Sequence, residues 1–428
     1  MNADTLVQIS QVRGDAPIND QHTPILLFLW KLGWPLGVRP GVLLLIQAAV
    51  FLIGSYLVLR VALRPLGASI AAALVALSPP VLGQLGLLGR DTWFVCLLVL
   101  TFGLIALAAR RPGRPATWPL VLAAVAAFLC LAARQNAAPA VAIAVIAVAF
   151  LLWGPRLDGR RRLVRLGAPI VAGLALTIVV LGAQVAAVRV AGTFTVHPTQ
   201  GVYIYDLAAF SRREDRSLFP DSVYAGGVGA IESTSSLDNI IPMVAGPNAI
   251  FHTPLSGEQT ADLGDAWLDY VFDHPFDWLD VHWDAWLRQI GLTAGELVVY
   301  HPGIDPNPFG YEIAFTDSNR TLVDYLKLFV SDGSLDSGLF IYRPFIYLLL
   351  AAAAAWWLLR RGREAAIVGA LALAGLAYQV GFFLATVATQ YRFEFPAVVL
   401  GMLATVAAVA LAIRARVERH RASAAAPG

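Results

Sequence analysis

Apolar and polar positions fall along this chain in long blocks rather than in the short periods of a soluble fold. A helix needs about 20 apolar residues to cross the hydrocarbon of a bilayer. Nine blocks reach or approach that length, at roughly 40–60, 66–88, 92–110, 117–133, 137–153, 167–190, 343–360, 365–388 and 395–413. Two polar stretches interrupt them, 1–39 and 191–342. The pattern predicts an all-α polytopic membrane protein with about nine transmembrane helices and an external, mostly α domain. Residues 1–39 form an external loop with an interfacial helix, and 40–190 carry the first six spans. The external domain is 191–342, spans seven to nine lie in 343–417, and 418–428 is a cytoplasmic tail.

Within the polar stretches the patterning is weaker. Trp30 and Trp34 in an amphipathic run suit a helix lying at the interface. Residues 222–262 are rich in Gly, Ser and Thr and read as loop. From Asp262 to Ile290 the spacing turns helical, broken at His274-Pro275. Trp267, Tyr270, Val271, Trp278, Val281, Trp283 and Trp286 make an aromatic face that packs on the membrane surface or on the core. No repeat is evident, and no run is strong enough to predict a sheet.

Composition agrees with a chain held mostly in lipid. Hydrophobic residues make up 58%, charged residues 14%, and mean hydropathy is +0.66, against about 25% charged in soluble domains. The charges also assign sidedness, because cytoplasmic loops collect Lys and Arg. The clusters are Arg60 and Arg64; Arg110, Arg111 and Arg114; Arg156, Arg160, Arg161, Arg162 and Arg165; Arg360, Arg361 and Arg363; and Arg414, Arg416, Arg419 and Arg421. Counting 117–133 and 137–153 as two helices puts every cluster on one side. These 17 basic residues share their loops with Asp158, Glu364 and Glu418, giving +14 inside, and the remaining 14 basic and 26 acidic residues give −12 outside. Residues 1–39 then lie outside, with no signal peptide before them. A first helix preceding the given start is the expectation, and unaided translocation of a short polar N-terminus is the alternative. Cys96 and Cys130 fall in apolar runs and read as packing residues, so no disulfide staples the external part.

Polar residues at the outer helix ends carry the candidate chemistry, since charge at a bilayer edge is costly. Arg90-Asp91 opens the third span, Arg134-Gln135-Asn136 turns between the fourth and fifth, and Gln390-Tyr391-Arg392-Phe393-Glu394 opens the last. Arg90, Arg134 and Arg392 thus sit at one depth, and the guanidinium fork suits phosphate oxygens. Each also fits a plainer role, snorkelling to the interface or pairing with a neighbour, Arg90 with Asp91 and Arg392 with Glu394. Transfer of a group to a hydroxyl needs a carboxylate to accept the proton. Asp4 and Asp20, with His22 nearby, are the candidates in the first outer segment, although an exposed Asp is ordinarily a solvated or capping residue. The stripe Asp269, Asp273, Asp277, Asp280 and Asp284 reads as a solvated helix face, and no His or Cys spacing supports a metal site. A divalent metal therefore has no support, and no basic aromatic strip points to nucleic acid.

The string Asn-Ala-Asp4-Thr-Leu-Val-Gln, followed by Asp20-Gln-His22-Thr-Pro24 and an apolar helix with Trp30, resembles the first external loop of bacterial membrane glycosyltransferases of the GT-C class. Protein O-mannosyltransferase-like and aminoarabinose transferase-like enzymes belong to it. Thr23 stands where relatives often have Pro, in Asp-x-His-Pro-Pro. Shorter matches are Ser78-Pro79-Pro80, Gly89-Arg90-Asp91, Arg134-Gln135-Asn136, Tyr205-Asp206-Leu207, His274-Pro275 and Tyr391-Arg392. The resemblance implies a GT-C-like fold in a bacterial cytoplasmic membrane, with the active site facing out. It implies transfer of a sugar from a polyprenyl-phosphate donor to an envelope acceptor, a glycan, lipid or protein. Asp4 would be the base, with Asp20 and His22 in support. Arg90, Arg134 and Arg392 would hold the donor phosphate, and Asp91, Asn136, Asp206 and Tyr391 are further candidates. Two other classes compete. A transporter or flippase for envelope lipid or polysaccharide would place charged or broken helices near the midplane. A non-catalytic assembly or sensor protein would leave Asp4 and the outer arginines dispensable.

Overall fold

In the computed structural model, residues 3–20, 24–110, 115–153, 162–190, 192–245, 247–293, 298–301, 303–313, 315–330 and 340–425 are described. The elements in chain order are α1 (Ala3–Arg13), α2 (Pro24–Gly33), α3 (Pro40–Leu59), α4 (Pro65–Leu77), α5 (Pro79–Leu85), α6 (Arg90–Ala109), α7 (Thr117–Ala133), α8 (Ala138–Trp153) and α9 (Arg162–Val190). They continue with α10 (Gln200–Glu214), α11 (Val228–Thr234), α12 (Ile241–Val244), α13 (Gly257–Asp273), α14 (Pro275–Gln289), α15 (Thr316–Lys327), α16 (Pro344–Leu358), α17 (Arg363–Leu384) and α18 (Tyr391–Ala425). Pro opens α3, α4, α5 and α16, where its missing N–H costs nothing and its fixed φ suits the first helical turn. Strands are absent among the described residues, apart from two isolated bridges.

The chain is a multi-pass helical membrane protein. Five segments are long and apolar enough to cross a bilayer: α3, α6, the Gly167–Val190 part of α9, α17, and Tyr391–Ser423 of α18. The predicted block 66–88 is not one helix. It breaks into α4 and α5, bent by 74°, and counts as a sixth span only if both halves are taken together. The cause is local. Ser78 is forced extended (ψ 139°) ahead of Pro79, which disfavours helical geometry in its predecessor. The helices α7, α8 and α16 have 17, 16 and 15 residues. At ~1.5 Å per residue they fall short of a hydrocarbon core of about 30 Å. Ten helices thus cover the nine blocks, one block being split, and among the described residues five or six segments meet the length of a span. A 3₁₀ turn at Gln135–Ala137 separates α7 from α8, as the charge pattern required. The last helix runs on to Ala425, so the predicted tail at 418–428 begins as a continuation of a span.

One core joins α3, α4, α6, α7, α8, α16, α17 and α18. Small residues allow the closest approaches. A Cβ on Gly54 would stand 2.6 Å from the Leu100 backbone nitrogen, and one on Gly103 would meet the Gly54 carbonyl at 2.9 Å. Interhelical packing in membranes depends on such contacts. Gln47 donates to the carbonyls of Leu85 (3.1 Å) and Leu87 (3.0 Å), serving the backbone freed at the end of α5. The 192–293 region, termed the outer domain after its expected position, builds its own core from Ile204, Leu207, Phe210, Phe251, Leu263 and Val281. A capping box between Ser256 and Gln259 starts α13 at Gly257, within the stretch expected to be loop, and α11 and α12 also interrupt it.

The N-terminal segment differs most from expectation. Instead of a loop it opens with α1, whose Ile9 and Val12 are buried with Ile18, Leu27 and Trp30. Trp30 is only 5% exposed and donates to the Val38 carbonyl at 2.8 Å, so it is an anchor in protein rather than a lipid-facing ring.

Candidate functional site

At one end of the bundle, four separate segments bring arginines and carboxylates together. Asp4 lies in the first turn of α1, where a negative charge complements the helix dipole. Helix α1 is fixed over the bundle by its buried apolar face and by Thr5, which donates to the Leu88 carbonyl just ahead of α6. Arg90 and Asp91 open α6, Arg134 closes α7, and Arg392 lies in the first turn of α18.

The pairing is crosswise rather than sequential. Asp91 bonds Arg134 and stands 3.8 Å from the Arg392 Nε, while Arg392 donates to Asp4 at 2.6 Å. Arg90 lies within electrostatic reach of Asp4 and Arg392, and so does Arg134. On a helix neighbouring residues point about 100° apart, and Asp91, Arg134, Arg392 and Asp4 each reach across to another element. Asn136 accepts from the Arg134 Nε at 2.9 Å and orients the fork. Phe393 lies under both guanidinium groups, 4.8 Å from Arg134 and 5.1 Å from Arg392, and stacks on Phe382 at 4.6 Å. Such cation–π contacts hold a charge without consuming its hydrogen-bond donors. Among the described residues the cluster sets three guanidinium groups beside two carboxylates. The Arg134 and Asp91 side chains are 9% exposed, Arg392 22% and Asp4 34%. The cluster is therefore open on the Asp4 side. Its shape and charge suit an anion with several oxygens, with a carboxylate beside it.

The other predicted residues lie elsewhere. Asp20 accepts from the Val196 backbone N–H at 2.7 Å and ties the N-terminal segment to the start of the outer domain, so no hydrogen bond carries it to the cluster. His22 is outside the described residues. Tyr391 packs edge-on against Tyr342 in a separate aromatic core. Asp206 is wholly buried in the outer domain, accepting from Trp267 at 2.7 Å and facing His282 Nε2 at 3.0 Å. The other ring nitrogen of His282 lies 2.5 Å from the Phe383 carbonyl at the end of α17. In the same domain, burial and then Glu214 push the Tyr270 hydroxyl up to about 12, so it stays a donor at neutral pH. No group of three or more His, Cys, Asp or Glu placed to hold a metal occurs among the described residues.

The burial of Glu394 and the hold of the outer domain on one turn have no signal in the sequence. Glu394 is fully buried, and neither of its oxygens makes a hydrogen bond of normal geometry. Its polar neighbours are Gln289 and Gln379, together with the ring hydroxyls of Tyr378 and Tyr391. The outer domain also grips the turn between α17 and α18. Thr389 donates to Asp238 through both its hydroxyl (2.6 Å) and its backbone N–H (3.0 Å), and the Gln390 N–H donates to Gln289 at 3.2 Å. No sequence signal links Asp238 to Thr389, because the contact spans 151 positions.

No protein-family model matches the chain, and no curated protein or solved structure matches it.

Proposed function

We propose that the protein is a membrane glycosyltransferase that moves a sugar from a polyprenyl-phosphate donor to a hydroxyl of an extracytoplasmic acceptor. Its site would face out of a bacterial cytoplasmic membrane. One observation carries this reading: Arg90, Arg134 and Arg392 converge from three helices beside Asp4 and Asp91. Arginine forks match phosphate oxygens, and guanidinium groups in a partly desolvated site hold a phosphate group more strongly than they do in open water. The GT-C resemblance of the Asp4 and Asp20 strings supports the same reading.

The proposed step uses these groups directly. Asp4 takes the proton from the acceptor hydroxyl. The acceptor oxygen forms a bond to the anomeric carbon, and the bond from that carbon to the phosphate oxygen breaks. The electron pair leaves with the lipid phosphate, where the arginines stabilise the developing charge. In the structure Arg392 is engaged by Asp4. An arriving phosphate competes for Arg392, so donor binding frees Asp4 to act as base.

The test is transfer of radiolabelled sugar from polyprenyl-phosphate donors by the purified protein, comparing wild type with Asp4→Asn and Arg392→Ala. The reading expects transfer by wild type and loss in both variants. Full activity in Asp4→Asn removes Asp4 from the mechanism. A lipid carrier is the second reading, favoured by the 74° break between α4 and α5, since broken helices line transport paths. The described residues at the break argue against it, for they are filled by protein: Gln84 donates to the Val299 carbonyl at 2.9 Å, and Gln47 serves Leu85 and Leu87. Lipid translocation without transfer in reconstituted vesicles would establish the carrier.

A further inference from the structure

The surface of α14 divides into three strips, each with a different chemistry. Val281, Ala285 and Gln289 are buried against the outer domain and the ends of α17 and α18. Phe276, Leu279 and Trp283 follow the spacing i, i+3, i+7 and are 81%, 42% and 50% exposed. The acids Asp277, Asp280 and Asp284 repeat that spacing one residue later, about 100° further round the helix. Across the His274-Pro275 break, Leu268 and Phe272 of α13 add exposures of 42% and 79%.

The position of α14 says what covers the apolar strip. Phe383, at the outer end of the span α17, is ringed by Trp278, His282, Trp283 and Trp286 at centroid distances of 6.1–6.5 Å. These four residues mark the side of α14 that faces the end of the span. By helical spacing the apolar strip borders that side, and the three acids lie on the opposite side, away from the span. The Arg213 side chain, from α10, bonds Asp280 and stands 3.7 Å from Asp277, which leaves the acids paired or in water. A helix seated on a span end, with aromatic residues toward the bilayer and acids away from it, has the layout of an interfacial helix.

We infer that α14, with the adjoining end of α13, lies on the outer leaflet and sinks Phe276, Leu279 and Trp283 into the boundary between headgroups and acyl chains. The occupant is the lipid surface itself, not a partner protein. Because the three exposed acids of the helix point away and its one arginine, Arg288, is paired with Asp238, anionic lipid is not required. The inference does not depend on the glycosyltransferase reading.

The experiment places a nitroxide on the full-length protein in nanodiscs of zwitterionic phosphatidylcholine, at Phe276→Cys, Leu279→Cys and, separately, Asp284→Cys. Collision with oxygen, which concentrates in lipid, is compared with collision with a water-soluble nickel chelate. Labels at 276 and 279 should relax with oxygen and exclude the chelate, and the label at 284 should do the reverse. Equal access of the chelate to 279 and 284 overturns the inference. Exclusion of both relaxants at 279 also overturns it, because it shows protein, from a second copy or a partner, covering the strip. Two labelled positions on the strip keep the result readable if one variant misfolds.

Discussion

Asp4 and the arginines carry the sharpest residue-scale predictions. Removing a general base costs about 10²–10⁴-fold in rate, so Asp4→Asn should lower the turnover number by that order while the unfolding temperature in detergent stays near wild type. The Arg134–Asp91 pair is nearly buried and behaves differently. Deleting Asp91 leaves the Arg134 charge without its carboxylate, at a cost of about 3–5 kcal/mol, whereas Asp91 without Arg134 keeps Arg392 at 3.8 Å. Asp91→Ala should therefore unfold at a markedly lower temperature than the double variant Arg134→Ala/Asp91→Ala, and equal losses in the two would show that the pair contributes no coupling. Which residues were candidates was legible in the sequence, because charges at the ends of apolar runs are few. Their partners were not. Adjacency permitted Asp91 to serve Arg90, and Asp91 bonds Arg134 from another helix, a choice made by helix packing.

At the scale of the element, the contact between α3 and α6 depends on two glycines facing one another. Gly54→Leu places a side chain where Leu100 backbone already lies. Overpacking costs about 1–3 kcal/mol where the structure can relax, and here the obstacle is backbone. The variant should lose thermal stability by more than Gly167→Leu, whose Cβ meets nothing within 4 Å. Comparison of the two melting curves checks this. Helices α3, α6 and α17 were read correctly from hydropathy because the bilayer demands continuous apolar length. The bend at Ser78 was carried by Pro79-Pro80 in plain view, yet hydropathy alone merged α4 and α5, since a window average does not register a backbone break. Helix α1 escaped because its apolar residues are few, and it is held by tertiary burial of Ile9 and Val12.

At the scale of the whole molecule, the outer domain and the arginine cluster are mechanically joined. Asp238 holds Thr389, three residues before Arg392, and is itself paired with Arg288 at 3.2 Å. Asp238→Ala should raise hydrogen exchange in the 385–392 turn and reduce transfer, with exchange in α3 and α6 unchanged. Unaltered exchange in the turn would show that the grip is idle. Sidedness gives a second prediction: with the native buried cysteines left in place, a membrane-impermeant thiol reagent should label Asp221→Cys on intact cells and leave Arg361→Cys unlabelled.

A helical membrane chain with a polar region between two apolar sets was already legible in the residue pattern. That information is local: length, apolarity and the placement of Lys and Arg are properties of contiguous segments, and the bilayer acts on each segment separately. It also nominated Asp4, Arg90, Asp91, Arg134, Asn136 and Arg392 one by one. That these six meet, that Asp20, Asp206 and Tyr391 serve other contacts, and that Glu394 is buried follow from how the helices pack. Such decisions rest on pairs separated by as many as 388 positions. They are made when small residues let helices approach and when buried charges must find partners, and neither requirement is written in any single stretch of the chain.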